Sequence, residues 1–274
     1  MDSARISFTA RYTGHVWQRL GWSDPRLATP GGRALFQLLR PAMALGRVLG
    51  GGRDLQSLLA QRHVLIDDTL RAAIEGEGIP QVLEIAAGLS PRGLRLRASH
   101  PQVRVVEADL PAMAAEKRRR LGDAVGPLHQ VAELDVTATS GPLSLAAVWQ
   151  RTLDPLQPVA VVTEGLVNYL PPAAAVALFA RLAESLRSSG GLYVTDGVLP
   201  PPDASGRTLV RGFQRALEVA TRGPVFLHDL PRLLADAGWP QVQVRDPDRD
   251  PVAAAFATRR SSLVRVYVAR VAVS

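Results

Sequence analysis

A few acidic, basic and glycine residues in this sequence are spaced as a charged, ribose-bearing ligand would require. The stretch QVLEIAAGLSPRG, Gln81 to Gly93, is an apolar strand pattern that stops at Gly88 and enters a turn holding Ser90, Pro91 and Gly93. A glycine at such a point lets backbone come close to a ligand. Glu107 and Asp109 close the next strand-like segment, about twenty residues on, where a carboxylate can accept hydrogen bonds from ribose hydroxyls. Glu164 lies between an apolar strand pattern and the apolar LVNYL, a poor place for a merely solvated carboxylate. A dinucleotide loop would read G-x-G-x-x-G. Here Ala86, Ala87 and Gly88 stand in its first half, Gly93 comes too late, and Pro91 removes a backbone donor that a pyrophosphate would use. A nucleoside without a pyrophosphate fits this turn better.

The elements that must position these residues alternate. Strand patterns at Gln81–Ala86, Val103–Asp109, His129–Val136, Pro158–Gly165 and Gly191–Gly197 are separated by helix patterns, among them Pro111–Leu121, Leu143–Thr152 and Pro172–Arg187. Such alternation predicts an α/β fold with a doubly wound, mostly parallel Rossmann-like sheet. At the end, WPQVQVRD and LVRVYVARVAV alternate without a helix between them and predict a closing antiparallel pair. Residues 1–60 contain no strand pattern, and their helix-like stretches are broken by TPGG (Thr29 to Gly32) and GGG (Gly50 to Gly52). This segment is expected to be a helical cap or lid on a core of residues 61–274. A second lid segment is expected near 199–227, where LPPPDASG leads into a helix pattern at Leu209–Ala220. Together the two would cover the carboxyl ends of the strands, where open α/β sheets bind ligands.

Composition narrows the function. With 274 residues, 47% of them hydrophobic, the chain can bury one large core. It has no cysteine, so disulfides and thiolate metal sites are excluded. Its five histidines, His15, His63, His100, His129 and His228, show no metal-ligand spacing, and no metal is expected. The N-terminus lacks the order of a secretory signal and no apolar run approaches a membrane span, so a soluble, cytoplasmic protein with no membrane partner is expected. The net charge of +7 comes from arginines spread along the chain, with Lys117 the only lysine. The tightest cluster, EKRRR at Glu116 to Arg120, reads as a solvated helix face, and no nucleic-acid partner is expected.

Four stretches carry a resemblance: ISFTARYTGHVW (Ile6 to Trp17), LEIAAGLSPRGLR (Leu83 to Arg95), VVEADLPAMAAEKRRRL (Val105 to Leu121) and VTEGLVNYLPP (Val162 to Pro172). Spaced in this order, they resemble the leucine carboxyl methyltransferase superfamily. The likeness is strongest to its bacterial branch related to the polyketide O-methyltransferase of tetracenomycin biosynthesis. The resemblance implies S-adenosylmethionine as cofactor and methyl transfer to a carboxyl or hydroxyl group of a small, secondary-metabolite-like acceptor.

The resemblance also implies roles. Gly88, with Glu84 and Ala86 beside it, would approach the methionine part of the cofactor, and Ala86 stands where the family often has glycine. Asp109, followed by Leu110, matches the ribose-binding acid, with Glu107 as its rival. Asp135 and Val136 match the pair that meets the adenine, with Glu133 able to shift that register. Glu164 would face the cofactor's ammonium group, and Arg62 would bind its carboxylate, as a planar guanidinium can. Arg11 falls near a second basic position of the family. Arg92 would serve either as a tie between turn and helix or as a ligand contact. Tyr12, Thr13 and Trp17 of the cap, with Asn168 and Tyr169 after the fourth strand, are candidates for holding the acceptor or for packing. His15, Tyr169 and His228 are the possible bases, although a carboxylate acceptor needs none. Two rivals stand beside this reading, a nicotinamide-dependent oxidoreductase on the same fold and a non-enzymatic basic nucleic-acid-binding protein.

Overall fold

Strand residues here are apolar at consecutive positions because both faces of the sheet are covered. In the strand Val159–Thr163, Val159 and Val161 pack on one face while Ala160 and Val162 pack on the other, as the two-residue period of a strand dictates. The computed structural model describes residues 3–49, 54–199, 227 and 229–272. In chain order it contains α1 (Ser3–Arg19), α2 (Pro30–Leu49), α3 (Leu55–Glu77), β1 (Gln81–Ile85), α4 (Arg92–Ser99), β2 (Arg104–Asp109), α5 (Pro111–Leu121), β3 (His129–Glu133) and α6 (Leu145–Thr152). β4 (Val159–Thr163), α7 (Pro172–Ser189), β5 (Gly191–Val198), α8 (Leu230–Asp236), β6 (Gln241–Arg245) and β7 (Val264–Arg270) follow.

The seven strands form one sheet in the order β3-β2-β1-β4-β5-β7-β6. β1 to β5 run parallel, and β7 runs antiparallel to both β5 and β6. The doubly wound, mostly parallel sheet expected from the sequence is therefore present. The closing antiparallel pair is present too, but β7 sits inside the sheet between β5 and β6. α6, α7 and α8 cover one face, with Trp149, Phe179 and Leu234 against Leu83, Val161 and Tyr193. α3 and α4 cover the other, with Leu65, Ile66, Leu70 and Leu96 against Val82, Val105 and Val194.

Among the described residues no strand precedes β1. The TPGG stretch does not interrupt a helix: it starts α2. Thr29 Oγ1 accepts the Gly32 N–H at 2.9 Å and Pro30 takes the first helical position, where its missing N–H has no partner to lose. The boundary expected at residue 60 falls inside α3. The second lid segment lies outside the described residues except at its edges. No helix among the described residues is long and apolar enough to cross a membrane.

Candidate functional site

Four carboxylates stand side by side on the α3 face at the carboxyl ends of neighbouring strands. The cause is parity. Glu107 continues the inward series of Val105 in β2, Glu84 that of Val82 in β1, Glu164 that of Ala160 and Val162 in β4, and Asp196 that of Leu192 and Val194 in β5. The strand register pairs Glu84 with Glu107 directly. Buried carboxylates require matched cations, and the helices on this face supply them. From α5, Lys117 Nζ donates to Glu107 Oε1 at 2.7 Å, and His129 Nε2 lies 2.8 Å from the other oxygen. From the start of α4, Arg92 donates to Glu84, to Glu164 Oε2 at 2.6 Å and to Asp67 Oδ1 at 2.7 Å. From α3, Arg62 Nε donates to Glu164 Oε1 at 3.0 Å and Nη1 to Asp196 Oδ2 at 3.1 Å. His63 Nδ1 lies 2.9 Å from Glu164 Oε2.

These partners set the protonation tendencies. Burial alone would raise Glu164, but His63, Arg92 and Arg62 outweigh it and hold this carboxyl well below its usual range. Burial likewise opposes ionisation of Glu107, and Lys117 and His129 overcome it. For Glu84 burial wins over Arg92 and the carboxyl is pushed up. Asp196 is also pushed up by burial in spite of Arg62. One oxygen of Glu84, Oε2, is buried and accepts no hydrogen bond within the protein.

The β1 turn above this row is held from both sides. Gly88 has φ of 48°, in the left-handed region that favours glycine, and a Cβ there would come within 3.1 Å of Ala10 Cβ in α1. Its N–H donates to Asp109 Oδ2 at 2.7 Å, while Oδ1 of the same carboxylate accepts the Leu110 N–H at 2.7 Å. Burial raises the Asp109 pKa, against the pull of those two amides. Ala86 has φ of 57°, a strained conformation for a residue with a Cβ. A glycine at this position would be free of that strain.

α1, the turn and the ends of β1, β2 and β4 line a cleft that is open to solvent. Arg62, Glu84, Ala86, Gly88, Asp109 and Glu164 of the expected cofactor set line it, as do Thr13, Trp17 and Tyr169 of the expected acceptor set. Burial raises the Tyr169 pKa, more than Arg62 lowers it. The remaining candidates lie elsewhere. Arg11 donates to Glu116 Oε2 in α5 at 3.2 Å. Leu110 caps α5. Asp135 Oδ1 accepts the Thr137 N–H and hydroxyl at 2.8 and 2.6 Å, and Val136 is buried in the core. Tyr12 stacks on Phe36 at 5.7 Å and burial pushes its phenol up to about 12. Asn168 is buried beside Val167. His15 packs on Phe36, and burial, then Arg19 and Arg33, lower its pKa. His228 lies outside the described residues.

Of the two readings of Arg92 the structure supports the tie, since its guanidinium is 1% exposed and does not line the cleft. Glu107 is likewise engaged below the turn and not in the cleft. Glu164 and Arg62, expected at opposite ends of an amino acid, touch each other. Sequence reasoning missed His63, Asp67 and Asp196. The parity of β5 and the four-residue spacing of His63 and Asp67 on α3 were the available signals.

Gly93 is the close-approach point of this region. A Cβ on it would lie 2.5 Å from Glu107 Cδ and 2.7 Å from His129 Nε2. Gly93→Ala is expected to lose about 1–3 kcal/mol by overpacking, read as a lowered melting temperature. An unchanged melting temperature would mean that the Lys117–Glu107–His129 cluster can shift to make room.

Comparison with known proteins follows this geometry. The sequence profile of the family described as leucine carboxyl methyltransferase matches residues 43–183, just over half of the chain. A Mycobacterium marinum protein named for S-adenosyl-L-methionine-dependent methyltransferase activity is 32% identical over 231 residues, covering 79% of this chain and 75% of that protein. A similarly named protein of Mycobacterium tuberculosis is 39% identical over 148 residues, 53% of this chain, and the match spans 47% of that relative's length. Among solved structures, a DUF574 family protein from Streptomyces avermitilis aligns with a TM-score of 0.66 over 96% of this chain and 97% of that one, at 18% identity. That last likeness is one of fold.

Proposed function

The chain belongs to the leucine carboxyl methyltransferase family, and from that premise we propose that it is an S-adenosylmethionine-dependent O-methyltransferase. Its acceptor is a carboxyl or hydroxyl group of a small molecule of polyketide or other secondary-metabolite type. The cofactor assignment and the methyltransferase class follow from the family; the oxygen acceptor and its type are our reading.

The observation that carries the proposal is the charge network that reaches the cleft through Arg62, Glu84 and Glu164 and continues beneath it. Three guanidiniums, Arg62, Arg92 and Arg95, face four carboxylates, Asp67, Glu84, Glu164 and Asp196. Glu164 is held ionised among them, while burial pushes the Glu84 and Asp196 carboxyls up. S-Adenosylmethionine carries a sulfonium, an ammonium and a carboxylate, and a site that presents both carboxylates and guanidiniums offers a partner to each. Glu84 Oε2 is an acceptor without a donor, suited to an ammonium, and the Arg62 fork can turn from Glu164 to a ligand carboxylate. Asp109 stands at the end of β2 for the ribose. When bound, the cofactor supplies a methyl group activated by the sulfonium.

The dinucleotide reading is weaker on a specific observation. The amides of Ala87, Gly88, Ser90 and Arg92 are bonded to Ala108 O, Asp109 Oδ2, Ala87 O and Ser90 Oγ. A pyrophosphate would find the amides it needs already engaged. The chain's own contribution to transfer is to orient the acceptor and exclude water. Thr13 and Trp17 of α1 and Tyr169 line the acceptor's side. A carboxylate acceptor needs no base. A hydroxyl acceptor usually does, and burial keeps Tyr169, which lines the cleft, protonated.

Isothermal titration should give a one-to-one heat with S-adenosylmethionine and with its demethylated product, and none with NADPH. The reverse pattern would overturn the cofactor assignment. With a radiolabelled methyl group and a library of small acids and phenols, a base-labile product identifies a methyl ester and a base-stable one an ether. Label found only on nitrogen or carbon would refute O-methylation.

A further inference from the structure

The residue next to Arg62 on α3 ties Glu164 to the N-terminal segment. His63 is wholly buried, and its ring stacks on two tryptophans of the N-terminal segment. Trp17 in α1 lies 4.3 Å away between centroids at 28°, and Trp22, just after α1, lies 5.5 Å away at 13°. The tryptophans stack on each other at 5.6 Å. The polar edge of the imidazole points the other way. Nδ1 lies 2.9 Å from Glu164 Oε2, and Nε2 lies 3.3 Å from Arg95 Nη1 and 3.6 Å from Asp67 Oδ2. The Arg95 guanidinium is itself 5.9 Å from the Trp22 ring centre. Arg92 Nη2 also lies 3.0 Å from Nδ1; in the tautomer that carries its proton on Nδ1, that nitrogen donates to Glu164 and Nε2 accepts from Arg95.

We infer that His63 is a positioning residue that couples the seating of α1 to the orientation of Glu164, and so links the acceptor side of the cleft to the cofactor side. The inference rests on the cofactor reading above. Its physical basis is that an imidazole hydrogen bond is directional while the stacking on Trp17 and Trp22 sets the plane of the ring. Moving α1 rotates or frees the ring, and Glu164 then loses one of its three donors. Coupling of this sort is reciprocal. A ligand that fixes Glu164 tightens α1, and an acceptor that presses on Trp17, which lines the cleft, improves cofactor affinity. Trp22 does not line the cleft, so an effect of Trp22 on cofactor binding has to pass through this stack.

The test uses the full-length protein in two arms. In titration calorimetry, His63→Leu should weaken S-adenosylmethionine about tenfold, the scale of one hydrogen bond to a charged group. His63→Asn, whose amide can place an N–H near the Nδ1 position, should recover most of the affinity. Trp22→Leu should weaken binding several-fold, and the His63→Leu/Trp22→Leu double variant should be no weaker than His63→Leu alone. In the ligand-free arm, hydrogen exchange of the α1 amides should speed up in His63→Leu and also in Glu164→Gln, which lies outside α1. A merely structural His63 would lower the melting temperature while leaving affinity and α1 exchange unchanged, and that result overturns the inference. Additive effects of Trp22 and His63 overturn it as well. If the wild type binds no S-adenosylmethionine, the cofactor assignment fails and the exchange arm alone decides the coupling. Should His63→Leu fail to fold, His63→Asn and Trp22→Leu carry the same comparison.

Discussion

Arg92→Met should not fold cooperatively at neutral pH, or should do so with a loss of at least about 3–5 kcal/mol, the usual effect of removing one partner from a buried ion pair. Three carboxylates meet this one guanidinium: Asp67, Glu84 and Glu164. Glu84 would be left with no hydrogen-bond partner, because Arg92 is the donor to its Oε1 and its Oε2 has none. A domain's whole stability is about 5–15 kcal/mol, so one substitution can use up much of it. Arg92→Lys keeps the charge but not the planar fork, and should fall between the variant and the wild type. The defect should shrink as pH falls. In the wild type, Glu164 and Asp67 have folded pKa values held below their unfolded ones. They add stability above about pH 4, the ordinary range for Asp and Glu, and lose it as pH drops through their folded values. Without Arg92, Asp67 keeps Arg95 and Glu164 keeps Arg62 and His63 and both are held down less strongly, while Glu84 loses its partner and its folded pKa, already raised by burial, rises further. The folded variant then binds more protons than the folded wild type, and the stability gap between them narrows on acidification. Urea titrations of both proteins between neutral pH and about pH 5 should converge. Parallel curves would mean that Arg92 is not what holds these carboxylates ionised.

Asp109→Ala should weaken S-adenosylmethionine, its demethylated product and adenosine to a similar degree, by about 1.5–3 kcal/mol or roughly tenfold to a hundredfold. The structure adds a second cause to the lost ribose contact. Asp109 holds the Gly88 and Leu110 amides, so the turn itself loosens in the variant. Glu107→Gln supplies the contrast. Glu107 is buried between Lys117 and His129 below the turn, so its substitution should lower the melting temperature and leave the affinity of the folded protein nearly unchanged. If Glu107→Gln abolishes binding while Asp109→Ala spares it, the two acids have exchanged roles.

Much of the fold was legible because a doubly wound sheet writes itself locally. The apolar runs ending at Ile85, Asp109, Glu133, Thr163 and Val198 and the helix periods of α5 and α7 lie close to their expected spans, since strand and helix periods are properties of neighbouring residues. The position of β7 between β5 and β6 was not legible, because strand order depends on which edges pair and not on the order of synthesis. The TPGG stretch was misread as a break because glycine and proline mark a helix start as readily as an interruption.

The sequence by itself determined the chemistry on offer: a turn at Gly88 with an acid at the next strand end, no thiolates, and arginine as nearly the only cation. Only the tertiary structure decided how the charges pair. Local pattern places Glu107, Glu84, Glu164 and Asp196 at strand ends, but whether each meets a ligand or a protein cation depends on which helix crosses that face. α4 brings Arg92 to Glu84 and Glu164, α3 brings Arg62 and His63 to Glu164, and α5 brings Lys117 to Glu107. The same packing turned Arg11 outward to Glu116 and left Asp109 at the cleft. The electrostatic penalty of burial admits only matched charges, and the match is made by residues as far apart in the chain as Arg62 and Asp196.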